Sequence, residues 1–321
     1  GTYFRLVDGK NCGDKERMFL DAQANHTAKV YYTNVEQEDF EKIPGAAMGY
    51  WVGENFLNSF SYGMIDEFYP VKAGLSTSDS KRFLRLWFEI DNKRISFTCT
   101  NGTEAVASHK KWFPINKGGS FRKWYGNRDY LLNYYNDGEE LKYWLTHNPN
   151  DPSTTSWSRY IRSPKYYFKQ SLTWSKVASG SFSLRYCPIG SIFSDASNGI
   201  FIDDELELKY LLGLMNSNLI IAYLKVLSPT LNTTSGDIGK MPLKRVERQE
   251  ITDLVTNNIS TCKKDWDSHE TSWDFEANPL IALCNQYTQD GCGATSYRLE
   301  NFVKDFEAEW EEKFNQLHQN E

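Results

Sequence analysis

The stretch from Lys111 to Asn127, KWFPINKGGSFRKWYGN, holds two tryptophans, two phenylalanines, a tyrosine, three glycines and four cations, with no acidic residue. A core segment rejects that many charges, and a solvated loop rejects that many rings. Cations beside Gly118-Gly119 suit an anion, because glycine lets backbone N–H groups approach it closely. Lys117 precedes the pair, and Ser120, Arg122 and Lys123 follow it. Trp124 and Tyr125 offer rings to stack on a sugar or base, or to pack behind the loop. A second acid-free run spans Pro152 to Ser194, with six Lys/Arg in 43 residues. It contains Ser153 to Arg159 and Leu172 to Ser181, where Arg159, Trp174 and Lys176 sit among small hydroxyls. Hydroxyls, cations and glycines in company suit phosphates and base edges. The plainer alternative is two hairpins with solvated cations and core aromatics.

Charge by region supports the nucleic-acid reading. Of 321 residues with net charge −6, residues 1–104 carry 12 Lys/Arg against 15 Asp/Glu, and residues 105–194 carry 13 against 5. Residues 195–245 carry 5 against 6, and residues 246–321 carry 6 against 16. The middle third has the footprint of phosphate contact, and the acidic end reads as a solvated helical region facing elsewhere. Its last-helix stripe either docks on the chain's own core or meets another protein.

The elements that must position these groups are mixed. Tyr3-Phe4 and Val30 to Tyr32 read as strands, and residues 15–24 as a helix. Met48 to Val52 reads as a strand and Glu54 to Tyr62 as a helix. Phe83 to Ile90 and Ile95 to Thr100 alternate like strands, with Asn101-Gly102 as a turn. Leu206 to Leu227 reads as one helix ended by Pro229, and Val246 to Asp267 as another. Tyr297 to Gln319 is a charged helix with Leu299, Phe302, Val303, Phe306, Trp310, Phe314 and Leu317 as its apolar stripe. Strands and helices without a βαβ rhythm give the fold class α+β. Trp51, Phe83, Trp87 and Tyr186 are assigned to the core.

Other chemistries fit poorly. No run of about 18 apolar residues occurs, so no membrane span is expected, and no signal peptide opens the chain. The abrupt start suggests a piece of a longer protein. The six cysteines (Cys12, Cys99, Cys187, Cys262, Cys284, Cys292) are scattered without a CxxC pair, which argues for buried thiols in a reducing cytoplasm rather than zinc or disulfides. Gly291-Cys292-Gly293 is a short turn, not a dinucleotide loop. Asp203, Asp204, Glu207 and Lys209 faintly suggest a metal-dependent nuclease, against the plainer reading of charges at a helix N-terminus. Asn148-Pro149 reads as a turn, without the aromatic that would stack on a flipped base.

Three stretches resemble the target-recognition half of TaqI-type N6-adenine DNA methyltransferases. They are Gly74 to Phe83 (GLSTSDSKRF), Lys111 to Asn127, and Tyr210 to Ser217 (YLLGLMNS) continuing to Gly236 to Leu243 (GDIGKMPL). A helix followed by a GxIxxxPL strand is also similar to specificity subunits of type I restriction systems. Asp265 to Phe275 (DWDSHETSWDF), with Ile43-Pro44-Gly45 leading to Tyr50-Trp51-Val52, resembles the PglX methyltransferases of BREX phage-defence systems. Such enzymes bind S-adenosylmethionine through a glycine motif and hold adenine in an Asn-Pro-Pro-Tyr loop. Neither stands in this sequence.

The resemblance therefore implies a mixed-sheet DNA target-recognition domain over residues 74–245. Residues 1–73 would lead into it from a missing catalytic domain, and residues 246–321 would form an acidic helical segment. Lys81, Arg82, Lys117, Arg122, Lys123, Arg159 and Lys176 are expected at phosphate or guanine, with Thr77 and Ser120 as hydroxyl contacts. Gly118 and Gly119 would permit close approach, and Trp124 and Trp174 would stack. Double-stranded DNA, the methyltransferase domain and other defence-system subunits are the expected partners. No metal is expected, and S-adenosylmethionine belongs to the missing domain. The rival readings are a protein-interaction module and the nuclease.

Overall fold

The computed structural model describes residues 1–321 except 27, 179, 247–248, 283–284 and 286–298. Cys284, Cys292 and the Gly291-Cys292-Gly293 turn lie outside the described residues.

Two four-stranded sheets carry the middle of the chain. The first orders β3 (Val71–Lys72), β10 (Gly199–Ile200), β7 (Ser171–Trp174) and β8 (Leu184–Cys187), all antiparallel. The second orders β4 (Leu84–Leu86), β6 (Tyr130–Asn133), β5 (Trp112–Asn116) and β9 (Ile192–Phe193), antiparallel except for the parallel β5–β9 pair. Every residue of β5 is buried, so its sequence shows a continuous apolar run rather than an alternation. A small ribbon, β1 (Tyr3–Phe4) with β2 (Tyr31–Tyr32), opens the chain beside the helix Cys12–Ala24, which Asn11 caps.

Each sheet has its own core. Leu172, Trp174 and Leu184 of the first pack with Leu211, Leu212 and Val255 from the helices behind it. Phe113, Leu132 and Phe193 of the second pack with Leu141 and Phe168. This is the mixed α+β architecture expected from the sequence.

Several element assignments need correction. The expected single helix over Leu206 to Leu227 is two, Glu205–Met215 and Asn218–Leu227, bent by 72°. The break follows from Asn216, whose amide is drawn into β8: its Nδ2 donates to the Leu184 carbonyl at 2.9 Å and its Oδ1 accepts from the Leu184 N–H at 2.8 Å. Phe83 to Ile90 is not one strand. Asp79 caps a helical turn over Ser80–Phe83, β4 takes three residues, and the Glu89 carboxylate closes a 3-10 turn by accepting from the Leu86 N–H. Ile95 to Thr100 contributes one bridge to Trp112, and Asn101 caps a helix over Gly102–Ala107 instead of making a turn. Met48 to Val52 is a turn against the ribbon, with Tyr50 stacked on Tyr3 at 4.7 Å. The GxIxxxPL stretch is a helical turn, Ser235–Gly239, from which only Pro242 pairs, by a bridge to Met64. Phe83 is core as expected, whereas Trp51, Trp87 and Tyr186 are half-buried and Cys12 is exposed.

Two helices follow, Gln249–Asp267 and Leu299–Asn320. The first packs against Glu205–Met215, and the second returns along it, with Leu317 on the first core and Asn320 Nδ2 donating to Asn258 Oδ1 at 2.7 Å. In the stripe Phe302 is buried and Phe314 exposed, and Val303, Phe306, Trp310 and Leu317 are half-buried. Among the described residues no single helix is long and apolar enough to cross a membrane.

Candidate nucleic-acid interface

The short turn after β9 gathers three expected stretches at one edge of the two sheets. The Leu75 N–H donates to the Phe193 carbonyl at 3.1 Å, and the Asp195 N–H donates back to Leu75 at 2.9 Å. The Ser194 N–H donates to Asn116 at 3.0 Å, and the Lys176 N–H to Ala196 at 2.9 Å. Leu75, Asn116 to Gly118 and Lys176 therefore meet around residues 194–197, although they are scattered in sequence. Gly118 stands at φ +81, where a Cβ would lie 2.9 Å from the Ala196 carbonyl oxygen, so a side chain is both strained and blocked there.

Ser175 joins the glycine loop to β7. Its Oγ accepts from the Gly119 N–H and donates to the Gly119 carbonyl, each at 3.1 Å. The Arg185 guanidinium, from β8, donates to the same Oγ at 3.2 Å and to the Arg122 carbonyl at 3.4 Å. Above them lies a cleft of about 520 Å³ between Gly119 to Phe121, the loop after β7, and the end of the Asn218–Leu227 helix. Its lining is rich in hydroxyls, among them Ser120, Ser175, Ser181 and Thr230, and among the described residues it holds one cation, Lys225, and no carboxylate. Phe121 is exposed at its mouth.

Arg122 and Lys123 point elsewhere. Arg122 Nη1 meets Asp265 Oδ2 at 2.8 Å, and its guanidinium lies 5.0 Å over the Trp266 ring. Lys123 Nζ meets Glu321 Oε2 at 2.7 Å. Buried Arg128 sits between Tyr125 and Trp273, at 5.6 and 5.1 Å from the ring centres. Lys263, paired with Asp267, covers Tyr125, and the Trp87 indole N–H donates to the Thr271 carbonyl at 3.0 Å. Residues 263–274 thus form a clasp over the far side of the loop. The expectation that the acidic end faces elsewhere is overturned at two of its carboxylates, Asp265 and Glu321, which meet Arg122 and Lys123 of the basic loop.

The remaining expected residues divide. Lys81 and Arg159 are exposed. Arg82, also exposed, leans over Trp144 at 4.6 Å and reaches Glu140 at 3.4 Å. Lys117 lies 4.5 Å over the Tyr130 ring. Trp124 and Trp174 are 4 % and 0 % exposed, and the Trp174 indole N–H donates to the Thr233 carbonyl at 2.9 Å. Neither ring has a face to offer a base, so as stacking residues both are corrected to core; Thr77 is buried as well. The suspected nuclease acids have local partners: Asp204 caps its helix, Glu207 pairs with Arg245 and accepts from the Tyr69 hydroxyl at 2.9 Å, and Lys209 pairs with Glu205. Among the described residues no group of three or more His, Cys, Asp or Glu is placed to hold a metal.

Sequence reasoning missed Arg185 and Lys225, and took in Ser175 only as one hydroxyl of the Leu172 to Ser181 stretch. The one available signal was Arg185, a lone cation inside the apolar run of β8. It is 2 % exposed, and burial draws its pKa down to about 10, opposed by Cys187 and aided by the like charge of Arg122.

No protein-family model matches the chain. It is 32 % identical over 323 residues to the adenine-specific methyltransferase PglX of Lacticaseibacillus casei (strain Zhang), covering 100 % of this chain and 26 % of that protein. It is 35 % identical over 284 residues to the adenine-specific methyltransferase BrxX of Escherichia coli O9:H4 (strain HS), covering 87 % of this chain and 21 % of that protein. The chain thus spans about a quarter of the length of the curated relatives it matches.

Proposed function

Because the chain is homologous to one part of the adenine-specific methyltransferases PglX and BrxX, we propose that it is the region with which such an enzyme chooses its DNA target. The observation that supports this is the convergence of Leu75, Asn116 to Gly119 and Ser175-Lys176 on the 194–197 turn, beside a hydroxyl-lined cleft without acids among the described residues. Loops held at one sheet edge by backbone bonds offer donors in a fixed arrangement. That suits sequence readout, where phosphate contacts set the register and base contacts carry the choice.

In the whole enzyme the reaction would be methyl transfer from S-adenosylmethionine to adenine N6, as part of phage defence. Among the described residues, the glycine turn of the basic loop does not suit that cofactor. The Gly118-Gly119 turn leaves β5 for an irregular loop and Trp124, rather than for a helix whose N-terminus would face the ligand. This chain would bind and orient duplex DNA, and the remainder of the enzyme would hold cofactor and adenine.

The test has two parts. The 321-residue chain should bind duplex DNA with an affinity that falls linearly on a log–log salt plot, and calorimetry should show no saturable S-adenosylmethionine binding. A clear S-adenosylmethionine isotherm, or no DNA binding at low salt, overturns the reading. Mapping methylated adenines in a host carrying the full-length enzyme then identifies the motif, which should change when this region is exchanged for that of a relative.

A further inference from the structure

Cations of the basic third are not equivalent. Arg122 and Lys123 each meet a carboxylate, and buried Arg128 is covered by the Tyr125 and Trp273 rings. Arg185 meets no carboxylate: its partners are a serine hydroxyl and a backbone carbonyl, and no salt bridge reaches it among the described residues. A buried charge is costly unless an opposite charge compensates it. Among the described residues, the ionisable neighbours that weigh on Arg185 are the Cys187 thiol and the like-charged Arg122.

We propose that the compensating charge comes from outside, as a DNA backbone phosphate seated in the cleft between the Gly119 loop and Lys225, with Arg185 as the buried positioning cation beneath it. The site rests on the DNA-recognition reading and deepens it. Three further observations favour it. The cleft lining holds Lys225, exposed and without an ion pair among the described residues, and no acid. Exposed Ser120 lines the cleft, whereas the Thr230 hydroxyl on the same lining is bonded to the Asn232 backbone. Ser175 transmits the position of Arg185 to Gly119 through hydrogen bonds of 3.2 and 3.1 Å, so the loop backbone is set by the cation under it. A positive charge in a poorly polarisable surrounding is felt through the protein far more strongly than through water. Arg185 therefore favours an anion on the loop without touching it.

The measurement is binding of the 321-residue chain to mixed-sequence duplex DNA over a salt series, with thermal unfolding as the check on folding. Lys225→Gln, at an exposed position, should weaken binding roughly threefold or more at low salt and make the log–log slope shallower by about 0.9, the signature of one lost phosphate contact. Arg185→Gln should weaken binding at least as much, and Arg185→Lys, which keeps the charge, should retain more of the slope than Arg185→Gln. A purely structural role for Arg185 predicts the same loss in both. If Lys225→Gln leaves affinity and slope at wild-type values, the site is wrong while DNA recognition stands; should Arg185→Gln fail to fold, Lys225→Gln alone decides. If the wild-type chain binds no duplex at low salt, the recognition reading falls and takes the site with it.

Discussion

Two faces of one loop receive their cations differently. On the clasp side, Arg122 and Lys123 are met by the carboxylates of Asp265 and Glu321, while Arg128 is met only by the Tyr125 and Trp273 rings. On the cleft side, Lys225 and Arg185 have no carboxylate partner among the described residues, and the lining is rich in hydroxyls. The net charge of residues 105–194 covers both faces alike. What separates them is compensation. Charges already paired inside the chain are part of its structure, and charges left unpaired are available to a ligand.

The largest expected effect is on the clasp. Trp266 is buried against Arg122 and Gly126, where a Cβ on Gly126 would lie 3.0 Å from the indole. Trp266→Ala should cost about 3 kcal/mol or more in urea unfolding, the usual result of emptying a packed aromatic site. Phe121→Ala, at the exposed mouth of the cleft, should stay within about 0.5 kcal/mol. Equal losses in the two variants would erase the distinction between a structural face and a binding face.

A smaller effect is expected from the ion pairs. Asp265→Asn with Glu321→Gln releases Arg122 and Lys123. Such partly exposed pairs contribute little to stability, so unfolding should barely change. Duplex binding should tighten, with a salt slope steeper by up to about 2 if both freed cations reach phosphate. Conversely, Arg122→Ala with Lys123→Ala should shift the wild-type slope less than Lys225→Gln alone. A double alanine variant that loses about 2 units of slope would show that both residues touch DNA despite their internal carboxylates.

The fold was legible where periodicity acts locally. The stripes of Gln249–Asp267 and Leu299–Asn320 announce helices, because apolar positions recur every three or four residues. The break at Asn216 was not legible, since its partner Leu184 lies 32 positions away and nothing in YLLGLMNS marks it. Asp79 and Glu89 overrode the alternation of Phe83 to Ile90 through side-chain bonds only three residues long, which period counting ignores. The site shows the same limit. Composition found the cations, glycines and hydroxyls of the converging loops. It could not find the pairing of Arg122 with Asp265 or of Lys123 with Glu321, across 143 and 198 positions. For the same reason Trp124 and Trp174 read as exposed rings: a tryptophan beside a glycine loop looks alike from the sequence whether it faces solvent or core.

The smallest effect is a chemical one at Cys262, on the clasp helix and packed against the first core. Burial pushes its thiol pKa up to about 12, with Asp265 and Glu321 adding to the shift and Arg122 opposing it. The nucleophile is the thiolate, so Cys262 should alkylate slowly at pH 8 while exposed Cys12 reacts first, as read by mass spectrometry of the two peptides. The folded thiol holds its proton more tightly than an unfolded one. Its contribution to stability is therefore complete below about pH 8.5, the ordinary thiol pKa, and is lost as pH rises toward the folded value of about 12. Because burial is the leading cause, Asp265→Asn with Glu321→Gln should leave Cys262 nearly as slow. Trp266→Ala, four residues along the same helix, should make it faster by letting the helix lift from the loop. Wild-type slowness in Trp266→Ala would show that the clasp helix is held by its packing on Glu205–Met215 alone. The aromatic contacts to Arg122 and Arg128 would then fasten the loop to the helix rather than the helix to the loop.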